Sequence, residues 1–145
     1  MAITTNAICN SFKKELLEAS HNFKASGGNS FKLALYTTDA VLGKSTTSYT
    51  TDNQVGASGQ YSAGGSALTN VGTSMATNTA IVDFADLSFT GVTLTAKGAL
   101  IYNDTASGDP AVCVLNFGGN KTATSGTFTV QFPAFTTAAA IIRIA

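Results

Sequence analysis

The stretch FKLALYT at positions 31–37 decides the fold class of this chain. Phe31, Leu33 and Leu35 recur with a period of two, which places all three on one face of a β-strand. Further segments with strand character follow, separated by clusters of Gly, Asn, Asp and Ser. The sequence therefore predicts a mainly β chain, with strands at 30–37, 80–84, 87–96, 98–103, 111–117, 127–132 and 139–144.

The residues ahead of this strand follow a helical period instead. Their apolar members are three or four positions apart and form one stripe, which consists of Ile8, Phe12, Leu16, Ala19 and Phe23. Asn10 or Ser11 is expected to cap the start of the helix, and SGG at 26–28 is expected to end it. We therefore predict one amphipathic helix over residues 8–24.

Short strands separated by turn residues are typical of a β-sandwich or barrel. Two segments, NDTASGDP at 103–110 and GGNKTATSG at 118–126, have the composition of connections between strands. The length is that of one ordinary domain. We predict a single domain over 1–145, with a β-sandwich of jelly-roll or immunoglobulin-like type over 30–145. The helix is expected either to cover one open end of the sandwich or to reach a neighbour.

The segment at about 43–70 is the least regular part of the chain. It is rich in Ser, Thr and Gly, and it is long for a loop in a compact domain. Tyr49 and Tyr61 are its candidate anchors, because a tyrosine combines an apolar ring with a polar end. Two readings stay open here: the rings contact a partner, or they pin the loop to its own domain.

The composition narrows the classes of partner. Charged residues make up only 11% of the chain, with eight basic and eight acidic side chains. This balance argues against nucleic-acid binding, and no apolar run of about 18 residues predicts a membrane span. The N-terminus lacks the features of a signal peptide, so we expect synthesis in a cytoplasm without secretion. A net charge near zero favours association, including a homo-oligomer.

Candidate catalytic residues are few. His21 is the only histidine, and the helical pattern places it on the polar side, which predicts a solvated residue rather than a catalytic base. Asp83 is predicted to point outward, and Asp86 has the setting of a turn residue. Asp104 and Asp109 fit turn chemistry better than a calcium site. We therefore expect no enzyme activity, no cofactor and no metal.

The two cysteines match no zinc or redox motif. Cys9 lies in the helical region and Cys113 in a predicted strand. Buried free thiols that pack as small apolar groups are the expected state. A Cys9–Cys113 bridge is the alternative, because both residues fall on apolar faces.

Several segments carry a resemblance to a known family. In order along the chain they are SFKKELLEASHNF, FKLALYT, SYTTDNQV, YSAGGSALT, VDFADLSFTGVTLTAKGALIYN, VCVLNFGGNKTATSGTFTVQFP and AIIRIA. Together they are similar to a family of small virion proteins of tailed bacteriophages. The resemblance implies a structural part of the virion, made in the host bacterial cytoplasm, with other phage structural proteins as partners. Capsid decoration (a cement protein) is the first assignment, and a neck, tail or baseplate subunit is the second.

The contacts of such a protein would come from its exposed polar surfaces. We predict that Lys13, Lys14 and Glu18 on the helix, together with Tyr49 and Tyr61, contact the major capsid protein or the neck and tail proteins. Outward-facing threonines would add uncharged contacts. A receptor- or sugar-binding module is the alternative from a different class, and it would use exposed tyrosine rings.

Overall fold

The computed structural model describes residues 2–136 and 138–145, which form two antiparallel sheets and one short helix. The larger sheet has the strand order β1-β7-β6-β2-β3, and the smaller sheet has the order β4-β5-β8. The prediction of a mainly β chain with one helix near its N-terminus is confirmed. The elements are β1 (Ala7–Ile8), α1 (Asn10–Leu17), β2 (Phe31–Tyr36), β3 (Ser66–Ala67), β4 (Asn70–Ala76), β5 (Thr79–Phe84), β6 (Leu87–Asn103), β7 (Ala111–Val130) and β8 (Ile142–Ile144).

The helix is shorter than predicted at both ends. Ile8, the first residue of the predicted stripe, lies in β1 with Ala7 and pairs with β7. Ala19 has a φ of 59°, a left-handed conformation that does not continue a right-handed helix, so α1 ends at Leu17 and the chain turns well before 26–28. Cys9 is the N-cap residue and makes no side-chain cap hydrogen bond, so the predicted cap is also wrong.

Strand β2 is confirmed and lies inside the larger sheet. It pairs along its whole length with β6, from Phe31 opposite Asn103 to Tyr36 opposite Gly98. Its other side pairs with β3 at two positions. Nearly all of its side chains are buried, on both faces of the sheet, as is typical of a strand whose two faces are covered.

The longest strands, β6 and β7, form one hairpin. The predicted segments 87–96 and 98–103 join into β6, because a bulge between Ala96 and Gly98 bends the strand without ending it. The segment 118–126 was predicted as a connection between strands, but it is part of β7. Gly118 and Ser125 adopt positive φ there, and pairing with β6 resumes between them. The turn predicted between Asn103 and Ala111 does connect the two strands.

The buried apolar side chains form one cluster that draws on both sheets. Phe31 of β2 is central to it, since its ring stacks on Phe23 at 4.4 Å and lies 5.6 Å from Phe84 of β5. Phe84 in turn lies 6.1 Å from Phe132. Burying each such ring stabilises the fold by about 1.5–3 kcal/mol, so these contacts hold the smaller sheet and the chain after α1 against β2.

Candidate functional site

Tyr61 lies inside the domain and offers no ring to a partner. It is 1% exposed, and its hydroxyl oxygen accepts a hydrogen bond of 2.8 Å from the backbone N–H of Leu35. Its ring meets Phe89 edge to face at 5.0 Å. The predicted partner contact of Tyr61 is therefore wrong, because the hydroxyl is bonded to β2 and the ring packs against β6 inside the domain.

Tyr49 also contacts its own domain. Its half-buried ring stacks on Tyr102 at 4.7 Å, and its hydroxyl donates to Gln54 Oε1 at 2.6 Å. Gln54 Oε1 also accepts the backbone N–H of Gly64, and Tyr102 donates its hydroxyl to the Gly64 carbonyl. Of the two readings for residues 43–70, these contacts favour a loop pinned to its own domain.

Buried phenols and thiols make the stability of the fold sensitive to alkali. Desolvation raises the pKa of Tyr61 to about 12 and that of Cys9 to about 11, and it raises the pKa values of Tyr36, Tyr102 and Cys113 as well. At a pH between the ordinary and the raised pKa of such a group, the folded protein keeps a proton that the unfolded chain has lost. The stability that these groups contribute is thus fully present below their ordinary pKa values and is lost as the pH rises.

We therefore expect the free energy of unfolding in urea to be flat near neutral pH and to fall between about pH 9 and pH 12. The slope approaches about 1.4 kcal/mol per pH unit for each group ionised only in the unfolded chain. Circular dichroism at each pH measures it. Tyr61→Phe should show a shallower slope above about pH 10. A stability unchanged from about pH 8 to pH 11 would contradict this expectation.

The charged face of α1 is exposed, as the helical pattern predicts. Lys13, Lys14 and Glu18 are all accessible, and Lys14 Nζ lies 2.9 Å from Glu18 Oε1 one helical turn away. Such a surface ion pair contributes little to stability. Leu17, between these residues in the sequence, is 90% exposed. The helix thus presents a large apolar side chain among its charges, and contact of this face with a partner stays a prediction.

A groove that we call the apolar cleft is lined in part by Leu16, the residue before Leu17 in α1. It has a volume of about 430 Å³ and separates the α1 side of the molecule from the smaller sheet. One wall comes from α1 and the chain that follows it, and the other from β4, β5 and β8. The apolar residues of the two walls are Phe12, Leu16, Ala19 and Phe23 on the first, and Ala80, Ile81, Val82, Ile142 and Ile144 on the second.

The register of the smaller sheet explains why this cleft stays open. Val82 pairs with Ile142, and Ala80 lies between Met75 and Ile144, so these side chains share one face. Near Phe84 that face is part of the core. At its outer end Met75 is 72% exposed and Ile144 is 53% exposed. The helix stops too early to cover this end, which leaves an apolar face half covered.

His21 is buried, contrary to the prediction of a solvated residue. The chain turns after α1 and carries the ring inward, where it lies 4.9 Å from Phe12. Asn103 Oδ1 accepts two backbone N–H groups, which orients its Nδ2 toward His21 Nδ1 at 3.1 Å. His21 Nδ1 is then an acceptor, and Nε2 donates to Glu15 Oε2 at 2.8 Å. Because both ring nitrogens have hydrogen-bond partners within the chain, the imidazole acts as a structural element of the fold.

The carboxylates serve local structure. Asp86 Oδ1 accepts the N–H of Phe132, and Asp104 lies 3.2 Å from Lys32 Nζ. Asp83 is partly buried rather than outward, one of its oxygens has no hydrogen-bond partner, and desolvation raises its pKa. Within residues 2–136 and 138–145, no group of three or more His, Cys, Asp or Glu is placed to hold a metal ion.

The cysteines are free and buried, which confirms the expected state over the alternative bridge. Cys9 Sγ lies 4.0 Å from the carbonyl oxygen of Gly43, and Cys113 sits in β7. Raised thiol pKa values keep both groups protonated at neutral pH, which makes them poor nucleophiles. In the same described part of the chain, no helix is long and apolar enough to cross a membrane.

Sequence reasoning missed the feature that stands out most on this surface, the cleft and the strand β4 beside it. Strand β4 is exposed on both faces beyond its start, so it has no alternation of apolar and polar residues. The available signal was the absence of charge, since residues 53–82 contain no Asp, Glu, Lys or Arg. Comparison of the chain with protein-family models, curated proteins and solved structures finds no match.

Proposed function

We propose that this chain is a non-enzymatic structural protein of a tailed-phage virion, with capsid decoration as the first assignment. The observation that carries the proposal is the apolar cleft, with Ile144 exposed in its wall, together with exposed Leu17 on α1 and exposed Met75 on β4. Exposed apolar surface is unfavourable in water and becomes favourable when a neighbour covers it. A subunit of a permanent assembly gains binding free energy when a neighbour covers such a surface.

The scarcity of charge supports the same role. Residues 53–82 are uncharged, and exposed threonines and serines cover the outer face of the β6–β7 hairpin, at positions 88, 90, 93, 95, 122, 124, 127 and 129. Uncharged contacts lose little strength in salt, whereas exposed ion pairs are screened. The partners proposed are the major capsid protein or, for the second assignment, neck and tail proteins.

We also propose that the two sheets form a single β-sandwich of jelly-roll or immunoglobulin-like type. The support is the contact between Phe31 of the larger sheet and Phe84 of the smaller one within a shared core. In this arrangement α1 covers part of one open side, and the apolar cleft is the part that it leaves uncovered.

A receptor- or sugar-binding role has less support. Such a module needs exposed aromatic rings, but Tyr36, Tyr61 and Tyr102 are buried and Tyr49 stacks on Tyr102. A neck, tail or baseplate subunit would use the same surfaces as a decoration protein, so copy number separates these two assignments.

The experiment that tests the proposal is to count and locate the protein on purified virions by quantitative mass spectrometry and electron cryomicroscopy. Decoration predicts many copies distributed over the shell, and deletion of the gene should lower the temperature at which particles release their genome. A few copies in a ring would favour the neck or tail assignment. Absence of the protein from the particle would refute both.

A matched pair of substitutions tests the surface itself. Leu17 and Val41 are both large, exposed apolar residues, but only Leu17 belongs to α1, where it follows Leu16 of the apolar cleft in sequence. Burial of a leucine contributes about 1.5–3 kcal/mol, so Leu17→Lys should weaken attachment to the virion by about tenfold or more. Val41→Lys should leave it unchanged. Equal occupancy of both variants on virions, measured by mass spectrometry, would contradict the assignment of this surface.

A further inference from the structure

Strand β4 has an unprotected outer edge. Within the described residues it pairs only with β5 and ends the smaller sheet. Edge strands expose unpaired N–H and C=O groups, and proteins usually guard them with Lys, Pro, bulges or a covering segment. Residues 53–82 contain neither a charged residue nor a proline. We call the exposed part of this strand, Thr73–Ala76, the open edge.

The start of β4 is guarded, which defines where the open edge begins. Asn70 Nδ2 donates to the carbonyl oxygens of Lys24 and Asn29, at 3.2 and 3.0 Å. A bulge between Asn70 and Gly72 then shifts the strand. These devices protect the part of β4 nearest the core and leave the outer part without protection.

The turn at Thr77 and Asn78 determines which backbone groups the open edge presents. In a two-residue hairpin the residues that flank the turn, here Ala76 and Thr79, are a hydrogen-bonded pair. Hydrogen-bonded and non-hydrogen-bonded pairs alternate along an antiparallel ladder. The N–H and C=O groups of Thr73 and Met75 therefore point away from β5, toward whatever strand lies alongside.

We propose that β4 pairs antiparallel with β4 of a second copy of this chain, across a two-fold axis at Ser74. In this register Thr73 lies opposite Met75 of the other copy, and Gly72 lies opposite Ala76. The outward N–H and C=O groups of Thr73 in each copy then form hydrogen bonds with those of Met75 in the other copy. The two three-stranded sheets become one sheet of six strands.

Two features favour the pairing of β4 with β4 of a second copy. Residues 72–76 are nearly symmetric in size about Ser74, with a small residue at each end, and no charge opposes its own copy. The two-fold axis also keeps the same face of each sheet on the same side. Met75, which is 72% exposed in one chain, then gains neighbours on that face, and the two apolar clefts open on one continuous surface.

This pairing rests on the proposed structural role for its biological purpose, but its test uses the isolated protein. Facing residues in a non-hydrogen-bonded antiparallel pair have Cα atoms about 4.5 Å apart, within the range that a disulfide spans. Ser74→Cys should therefore form a covalent dimer under mild oxidation, at least about tenfold faster than Ser107→Cys in the exposed 104–110 turn. Buried Cys9 and Cys113 provide a low background.

Sedimentation of the unoxidised protein over a range of concentrations gives an independent measurement. The wild-type chain should approach the mass of two chains, Met75→Lys should raise the dissociation constant by about tenfold or more, and Val41→Lys should not. The four substituted residues, Ser74, Ser107, Met75 and Val41, are all exposed. Circular dichroism verifies that each variant is folded.

The proposal is overturned if the wild type stays monomeric, or if it dimerises while Ser74→Cys crosslinks no faster than Ser107→Cys. It is also overturned if the open edge binds a strand of another virion protein and not its own copy. None of these results changes the copy number on virions. A missing dimer and a mistaken virion role are thus distinguishable.

Discussion

Replacing Gly65 by alanine is expected to destabilise the protein by about 3 kcal/mol or more, or to prevent folding. Gly65 has a φ of +89°, a region that side chains other than glycine rarely adopt. A Cβ there would overlap the backbone carbonyl of Leu33 in β2. Because Leu33 pairs with Ser66, the residue after Gly65, relief requires β3 to move away from β2. Urea unfolding followed by circular dichroism measures the effect.

Gly56→Ala is the matched control for this change. No atom lies within 4 Å of a Cβ at Gly56, and its φ is not in the left-handed region. We expect a change within about 1 kcal/mol, in either direction, because alanine restricts the unfolded chain without a clash. Similar unfolding curves for the two variants would show that β3 does not hold its close approach to β2.

Replacing Asn103 by alanine should cost about 3–4 kcal/mol, because several buried polar groups lose their partner at once. Asn103 is fully buried at the end of β6. Its side chain joins residues 20–29 to the turn that follows β6. The Nδ2 group lies 3.0 Å from Asn29 Oδ1, 3.1 Å from His21 Nδ1 and 3.3 Å from the Ser20 carbonyl, and Oδ1 accepts from Thr105 and Ala106.

Asn120→Ala serves as the control for this substitution, since Asn120 is exposed in β7. We expect its free energy of unfolding to stay within about 0.5 kcal/mol of the wild type. Thermal and urea unfolding of both variants measure the difference. If Asn103→Ala were as stable as Asn120→Ala, the buried network around His21 would not be a stabilising feature.

The sequence contained enough information to predict the strands that bury an apolar face. Residues 31–36 carry a strong alternation, and they form β2 as predicted. Segments 87–103 and 111–130 were predicted as pieces, because a bulge and a positive φ at Gly118 interrupt their period without ending the strands. Composition alone does not distinguish a bulge that bends a strand from a turn that ends it.

Tertiary contacts decided the features that the sequence did not predict. The helical pattern continues to Phe23, but Ala19 turns the chain so that His21 reaches Asn103, and a pattern within one segment cannot show that contact. Tyr61 carries no sign that its hydroxyl would meet β2. Of the contact residues predicted, the structure leaves Lys13, Lys14 and Glu18 exposed, and it buries Tyr61 and half-buries Tyr49.

The pairing of β1 with β7 has a consequence for how the chain is made. Ala7 lies opposite Val114, and Asn6 Oδ1 accepts the N–H of Asn116 across a separation of 110 residues. Such distant contacts close slowly, because the ends of a long segment must first meet. Residues 6–8 must therefore wait until residues 113–116 have been translated before they join the sheet. A nascent chain that stalls before residue 113 would leave residues 6–8 without these partners.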